Sequence, residues 1–412
     1  MLRIGMVGAG FVAGFHTRSL QSVRGAEIAG VCAPQGAEAL AKRAREDGLG
    51  KTRVFETVVD LCQAVDVVCI FAPNFARVTI MRDIAEAVKA GAKLKGIICE
   101  KPLARNLKEA DELVRIAKKT GVPTAYFENQ LYMPCIAEAR RQLAAVEKKM
   151  GAVHLARSAE EHGGPHEPWF WDPVRQGGGV CCDMGCHSIA VGMYMLTPSG
   201  RPPAYLTPLS VSANMSLLKW GKEPWLSKLR QRGVDYSLTP AEDYSNVTVT
   251  FKDPETGLCG ITQATNSWMY DAPGLRLLME AFGPGYSYTV NSLQSPAALF
   301  IGDAAAAAIA DSELVLEKAQ ATRGVLTLQP NEPDLYGYVA EWRDALSAFE
   351  QGKNGFLDFE YGRLITMLVM AAYMAQEKKR VIDLTDSKVQ QELKTYVPLI
   401  QQGKGAKVLI GD

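Results

Sequence analysis

The chain carries no excess of either charge and few histidines. Lys and Arg total 45, Asp and Glu total 45, and His numbers 5 in 412 residues, so the formal net charge is zero. Without a basic field nothing holds a phosphate backbone, and nucleic acid is not expected as a partner. No run approaches the roughly 20 apolar residues that a bilayer span needs, so no membrane segment is expected. The cysteines lack an even count: there are 9, several within apolar runs. That suits reduced core thiols better than a disulfide framework and points to the cytoplasm. No leader is evident before the first apolar run, which begins at Leu2.

What is present is ordinary for a globular protein. Apolar residues make up 47% and charged residues 22%, and the length suits two or three domains. In the first third, short apolar runs predict strands over Leu2–Val7, Glu27–Cys32, Val67–Ala72, Gly96–Cys99 and Thr124–Phe127. Between them, Val78–Ala90 and Leu107–Lys118 carry apolar residues at helical spacing, the second behind Asn106 as an N-cap. Strands alternating with helices predict a doubly wound parallel sheet. After Glu128 the pattern alternates with period two over Val211–Leu217, Asn246–Phe251, Gly260–Trp268 and Leu275–Ala281, which predicts a largely antiparallel sheet. Asp253-Pro254-Glu255-Thr256-Gly257 reads as a turn between two of these strands. Helical periodicity returns over Tyr338–Phe349 and Tyr361–Gln376. The expected division is 1–128, 129–384 and a tail, 385–412. Ala304–Ala310 is alanine-rich but too short for a low-complexity domain.

Four motifs carry chemistry. Gly8-Ala9-Gly10-Phe11-Val12-Ala13 directly follows the first strand and opens a helix. Gly8 would make the tight turn, Gly10 would let backbone N–H groups approach a pyrophosphate, and Ala13 would let helix and strand pack closely. The second strand ends Val31-Cys32-Ala33-Pro34-Gln35. It offers neither a carboxylate for a ribose diol nor an arginine for a 2'-phosphate; NAD is favoured, with NADP the alternative, and Arg43 and Arg45 read as a solvated helix face. Cys99-Glu100-Lys101-Pro102 closes an inner strand, where a partly desolvated lysine would be drawn toward the working range of a general base; a snorkelling lysine is the plainer alternative. Gly177-Gly178-Gly179 leads to Asp183 and His187, four residues apart and so on one helical face. Histidine there can pass a proton while aspartate fixes its orientation. Cys182, Cys186 and His187 raise metal ligation as a rival, set aside because no second paired cluster is evident.

These motifs, in this order from Leu2 to about Leu384, together resemble the Gfo/Idh/MocA family of NAD(P)-dependent oxidoreductases. The resemblance implies a Rossmann domain, then an α/β domain whose large, mostly antiparallel open sheet commonly serves as an oligomer interface, hence a homo-oligomer, dimer or tetramer. It implies hydride transfer between nicotinamide and a secondary alcohol of a sugar, glycoside or cyclitol. By position Lys101 matches the lysine acting on the hydroxyl proton, His187 the catalytic histidine and Asp183 its acidic companion, with Lys101 and His187 expected to bracket one hydroxyl. Pro73 and Asn74 match a Pro-Asn turn near the nicotinamide ribose, and Glu100 lies in the cofactor cleft. The expected cofactor set is Gly8, Gly10, Phe11, Val12, Ala33, Pro73, Asn74, Glu100, Lys101 and Asn129, with no metal.

The chain departs from the family pattern at Arg77, where a histidine is frequent, and at Glu128-Asn129-Gln130. Both departures bear on substrate more than on cofactor. A redox-neutral glycosidase or epimerase that recycles NAD is therefore the alternative reaction, and a non-catalytic NAD-binding sensor the alternative class; retention of Lys101, Asp183 and His187 argues against the sensor. The segment His162 to Arg175 reads equally as a sugar pocket, through Trp171, Asp172 and Arg175, or as core anchoring by its tryptophans. Lys219–Arg232, with Trp220 and Trp225, could cap a cleft or line a subunit contact.

Overall fold

The apolar runs of the first third become a parallel sheet of six strands: β1 (Leu2–Val7), β2 (Ala26–Cys32), β3 (Arg53–Val54), β4 (Val67–Ile70), β5 (Gly96–Glu100) and β6 (Thr124–Phe127). The computed structural model describes residues 1–272, 274–292, 298–301, 324–327 and 331–410; the alanine-rich Ala304–Ala310 lies outside them. The strand order is β3-β2-β1-β4-β5-β6, with every pairing parallel. All residues of β4 and β5 are buried, which is why they read as unbroken apolar runs. Between β1 and β4 the order reverses, and ligands of such sheets collect beyond the carboxyl ends at that point. Asn106 caps the helix Leu107–Thr120 by accepting the Glu109 N–H at 3.0 Å.

The second sheet contains β7 (Leu155–Glu161), β8 (Thr207–Ser216), β9 (Tyr244–Lys252), β10 (Cys259–Ser267), β11 (Arg276–Gly283), β12 (Tyr286–Asn291) and, later in the chain, β15 (Ile382–Asp383). β13 (Ala298–Ile301) and β14 (Gly324–Thr327) pair separately. The order in the large sheet is β12-β11-β7-β10-β9-β8-β15. Its pairings are antiparallel except for β7 with β10, which run parallel. The turn at 253–257 forms as the sequence requires: the Asp253 carboxylate accepts N–H groups of Glu255 and Thr256 at 2.8 and 3.0 Å, and Gly257 takes φ +76°.

The helix Cys186–Leu196 lies close on β7 and β10, and Gly192 permits it: a Cβ there would stand 1.7 Å from Thr262 Oγ1. The stretch Pro173–Leu196 is long and apolar enough by composition to cross a membrane, but its apolar window is 94% buried in the protein. It is a core helix.

Two units make up the chain, 1–134 with 336–367, and 135–335 with 368–412. Each unit is made of two chain segments, where the expected division ran continuously. The return helix Tyr338–Glu350 belongs to the first unit because Val339, Trp342, Ala345, Leu346 and Phe349 bury one face among Met6, Phe71, Ile98 and Phe127. Gly96 admits it, since a Cβ there would meet the Phe349 ring at 2.2 Å. The stretch 385–412 is no separate tail: Val389, Leu393 and Ile400 are buried within the second unit.

Candidate active site and cofactor cradle

The glycine turn is shaped for close backbone approach. Gly8 has φ +118°, its N–H donates to Cys32 O at 3.0 Å, and a Cβ would stand 2.7 Å from the Phe71 carbonyl. Only glycine fits there. Gly10 is the N-cap of the helix Phe11–Leu20, whose first turn has no acidic residue, and a Cβ on Gly10 would meet nothing within 4 Å. Free N–H groups at a helix start, open space above the N-cap and no competing carboxylate fit a dinucleotide pyrophosphate. Phe11 is exposed, while Val12 and Ala33 are half-buried. Pro73 and Asn74 follow β4 at the same sheet edge, with Asn74 buried.

Lys101 follows β5, and its backbone is fixed more firmly than a strand end requires. Its N–H donates to Phe127 O at 3.1 Å and to Glu100 Oε2 at 2.9 Å. Arg77, which the sequence marked only as a departure, secures the same segment. Its buried guanidinium donates to Ala72 O at 3.2 Å, Glu100 O at 2.5 Å, Lys101 O at 3.3 Å and also Pro102 O. One side chain thereby ties the turn after β4 to the three residues around the lysine. Arg77→Met keeps the aliphatic stem but leaves these buried carbonyls without donors. It is expected to destabilise the protein by about 2–4 kcal/mol, read by urea unfolding, and Lys at this position should not restore it because it lacks the planar fork.

Behind Glu100 lies a buried group that the sequence reading missed. The ligating atoms of His16, Glu100 and Glu341 lie within 4.8 Å of one another, the one such group of potential metal ligands among the described residues. Hydrogen bonds account for the imidazole. Trp342 Nε1–H donates to His16 Nδ1 at 3.0 Å, so the ring proton is on Nε2, which donates to Glu100 Oε1 at 2.8 Å. Neither ring nitrogen keeps a free lone pair for an ion. Glu341 is buried, and neither of its oxygens has a hydrogen-bond partner among the described residues. Burial, then the charges of Glu100, Glu128 and Asp344, hold its pKa well above the ordinary 4.5.

From about pH 4.5 up to its raised folded value, the native chain keeps a proton on Glu341 that the unfolded chain releases. This group therefore contributes less stability as pH rises through that window. Glu341→Gln should flatten the decline of Tm across roughly pH 5 to 8; an unchanged slope would show that the carboxyl is ionised in the native state.

In the second unit, a single π turn, Cys181–Gly185, leads into Cys186–Leu196 and carries Asp183 at its centre. Such wide turns are frequent at functional sites. Asp183 and His187 are both buried. His162, just beyond the end of β7, has its Nε2 4.0 Å from Asp183 Oδ2. Its Nδ1 accepts the Gly164 N–H at 3.0 Å, so in the neutral ring the proton is on Nε2, facing the aspartate. Cys182 and Cys186 donate their thiols to the backbone carbonyls of Gln176 and Asp183.

Several expected ligands have structural work instead. Trp171 is fully buried, its ring 4.6 Å from Trp220 and 4.9 Å from Trp268, and its N–H donates to Pro165 O. Asp172 caps the short helix Pro173–Gln176 through the Val174 N–H at 2.9 Å, and Arg175 is exposed beside it. Asn129 donates to Tyr336 O at 2.7 Å and so anchors the returning chain. In Lys219–Arg232, Trp220 is buried and the Lys219 amine sits 4.0 Å from the Trp225 ring centre in an ion pair with Asp271.

A parallel sheet in this order, with an open glycine turn at its reversal point, is the arrangement of a dinucleotide-binding domain. Residues 2–127 match the oxidoreductase family with an NAD-binding Rossmann fold, and residues 136–281 match the GFO/IDH/MocA C-terminal domain. The chain belongs to the GFO/IDH/MocA family, and its first domain is an NAD-binding Rossmann domain. Among curated relatives, it is 32% identical over 135 residues to glucose-6-phosphate 3-dehydrogenase of Bacillus subtilis, covering 32% of this chain and 35% of that protein. It is 29% identical over 202 residues to D-glucoside 3-dehydrogenase of Escherichia coli, covering 47% and 54%. The matches thus span about a third to a half of these relatives. The crystal structure of GenD2 from gentamicin A biosynthesis, in complex with NAD, shares the fold with TM-score 0.72 at 22% identity, over 93% of this chain and 96% of that one.

Proposed function

We propose that this protein is an NAD-dependent dehydrogenase acting on a ring secondary alcohol of a sugar, glycoside or cyclitol. The observation that carries the reading is the tethering of the Lys101 main chain, at the carboxyl edge of the sheet that also bears the glycine turn. The names of the two curated relatives, both 3-dehydrogenases of glucose derivatives, support the substrate class. Gly8, Gly10 and the first turn of Phe11–Leu20 hold the pyrophosphate, and Pro73 with Asn74 flanks the nicotinamide ribose. Bound NAD supplies the hydride acceptor. The carbinol carbon can give up hydride only as its O–H proton leaves, and Lys101 in its neutral form takes that proton at Nζ. His187 is the second acid–base group, oriented by Asp183.

The test is a screen of monosaccharides, glycosides and inositols with NAD and with NADP, following reduced nicotinamide and product together. Reduced cofactor accumulating in step with a ketone product is the expected result. Product without net reduced cofactor would replace the reading with redox-neutral chemistry, and cofactor binding with no turnover would make the protein a sensor.

A further inference from the structure

The triple glycine before Asp183 has a partner that the sequence does not advertise. Glu242, fully buried immediately before β9, receives the main chain there through three successive N–H groups. Its carboxylate accepts the Gly179 N–H at 3.0 and 3.1 Å and the Cys181 N–H at 3.1 Å, while its own carbonyl accepts the Val180 N–H at 3.0 Å. The Tyr373 hydroxyl donates to Glu242 Oε1 at 2.6 Å and accepts the Gly179 N–H at 3.2 Å.

Two of the glycines are required by this grip. A Cβ on Gly178 would stand 2.0 Å from the Tyr373 hydroxyl, and one on Gly179 would stand 2.1 Å from the Glu242 carbonyl oxygen. The N–H groups so bound open the helical run that carries Asp183 and His187, where free donors and the helix dipole favour an anion.

We propose that Glu242, braced by Tyr373, is the positioning residue that sets where Asp183 and His187 present their side chains. The inference rests on the reading of those two residues as acid–base groups. A carboxylate is a demanding choice for such a place. Burial pushes its pKa up to about 7, against the hydrogen bonds from Tyr373, Cys181 and Gly179 that pull it down. The titratable groups interacting with it among the described residues, Tyr373, Cys181 and Tyr236, include no cation. A neutral amide would fill the same volume but carry one acceptor oxygen, so what the carboxyl adds is a second acceptor toward the N–H groups.

The test uses the full chain with a substrate from the screen. Glu242→Gln should lower kcat by about 10²-fold, the size expected when reacting groups are displaced by about an ångström. KM and NAD affinity should stay within about threefold, because neither is set by this contact. Tyr373→Phe, which keeps the carboxylate, should lower kcat by roughly tenfold. A purely structural role would lower Tm and leave kcat per folded molecule at the wild-type value in both variants, and that result would overturn the proposal. If Glu242→Gln does not fold, the kcat of Tyr373→Phe decides alone. His187→Ala keeps the two ideas apart: wild-type turnover in that variant would remove the acid–base reading, whereas loss of turnover there with none in the Glu242 and Tyr373 variants would remove the positioning role only.

Discussion

Replacing Lys101 with alanine is expected to lower turnover by about 10²- to 10⁴-fold while NAD binds nearly as before. The asymmetry follows from how the residue is built in. Its main chain is held by bonds that do not involve the amine: the N–H goes to Phe127 O and Glu100 Oε2, and the carbonyl receives Arg77. Truncation beyond Cβ leaves those bonds intact and leaves the glycine turn untouched. What disappears is the amine proposed to take the hydroxyl proton. The decisive measurements are single-turnover rates and NAD titration on the purified variant, with added small primary amines as a rescue. Turnover within about threefold of the wild type would take Lys101 out of the chemistry.

Trp342→Ala should produce the largest loss of stability, about 3–5 kcal/mol, the usual cost of emptying a buried aromatic site. The indole is fully buried and meets Phe127, His16 and Phe71 nearly at right angles, with centroids 5.1, 5.6 and 6.2 Å away. Removing it opens a cavity beside all three and orphans His16 Nδ1, which loses the donor that fixed its proton on the other nitrogen. Against a total stability of about 5–15 kcal/mol for a typical domain, that is a large share. Trp342→Phe separates the two components, since it keeps most of the packing and deletes only the N–H; about 1–3 kcal/mol is expected. Chemical denaturation with cofactor as a probe of the first unit reads both. If the alanine variant left that unit as stable as before, the assignment of the return helix to it would be wrong.

Much of the first sheet was legible because its signals are local. Leu2–Val7 and Thr124–Phe127 fall on the observed strands to the residue, and the Asn106 cap was readable from composition at one helix start. β7 was missed because Leu-Ala-Arg-Ser-Ala-Glu-Glu has little strand propensity of its own; it is held by β10 on one side and β11 on the other. β3 is only two exposed residues, and β12 is an edge strand after a tight turn. The return helix was readable as a helix, but which core it joins depends on Phe349 meeting Gly96, a matter no local window contains.

The site divides in the same way. Lys101, Asp183, His187 and the glycine turn stand in short motifs whose spacing is itself the signal. His16 and Glu242 act through partners distant in sequence, and so does Arg77 apart from its bond to Ala72 O, the longest reach being from His16 to Trp342. Trp171 is a different case, because an aromatic beside polar residues looks the same in sequence whether its face is open or covered.

The interleaving of the two units has a consequence for how the protein is made. The Rossmann core is not complete at residue 134, since the helix bearing Trp342 emerges from the ribosome only after some two hundred residues of the other unit. That unit in turn waits for 368–412, which includes Tyr373. Neither half can therefore reach its final packing early in translation, and a nascent chain arrested near residue 335 should expose the vacant groove over Phe71 and Phe127 to chaperones and proteases.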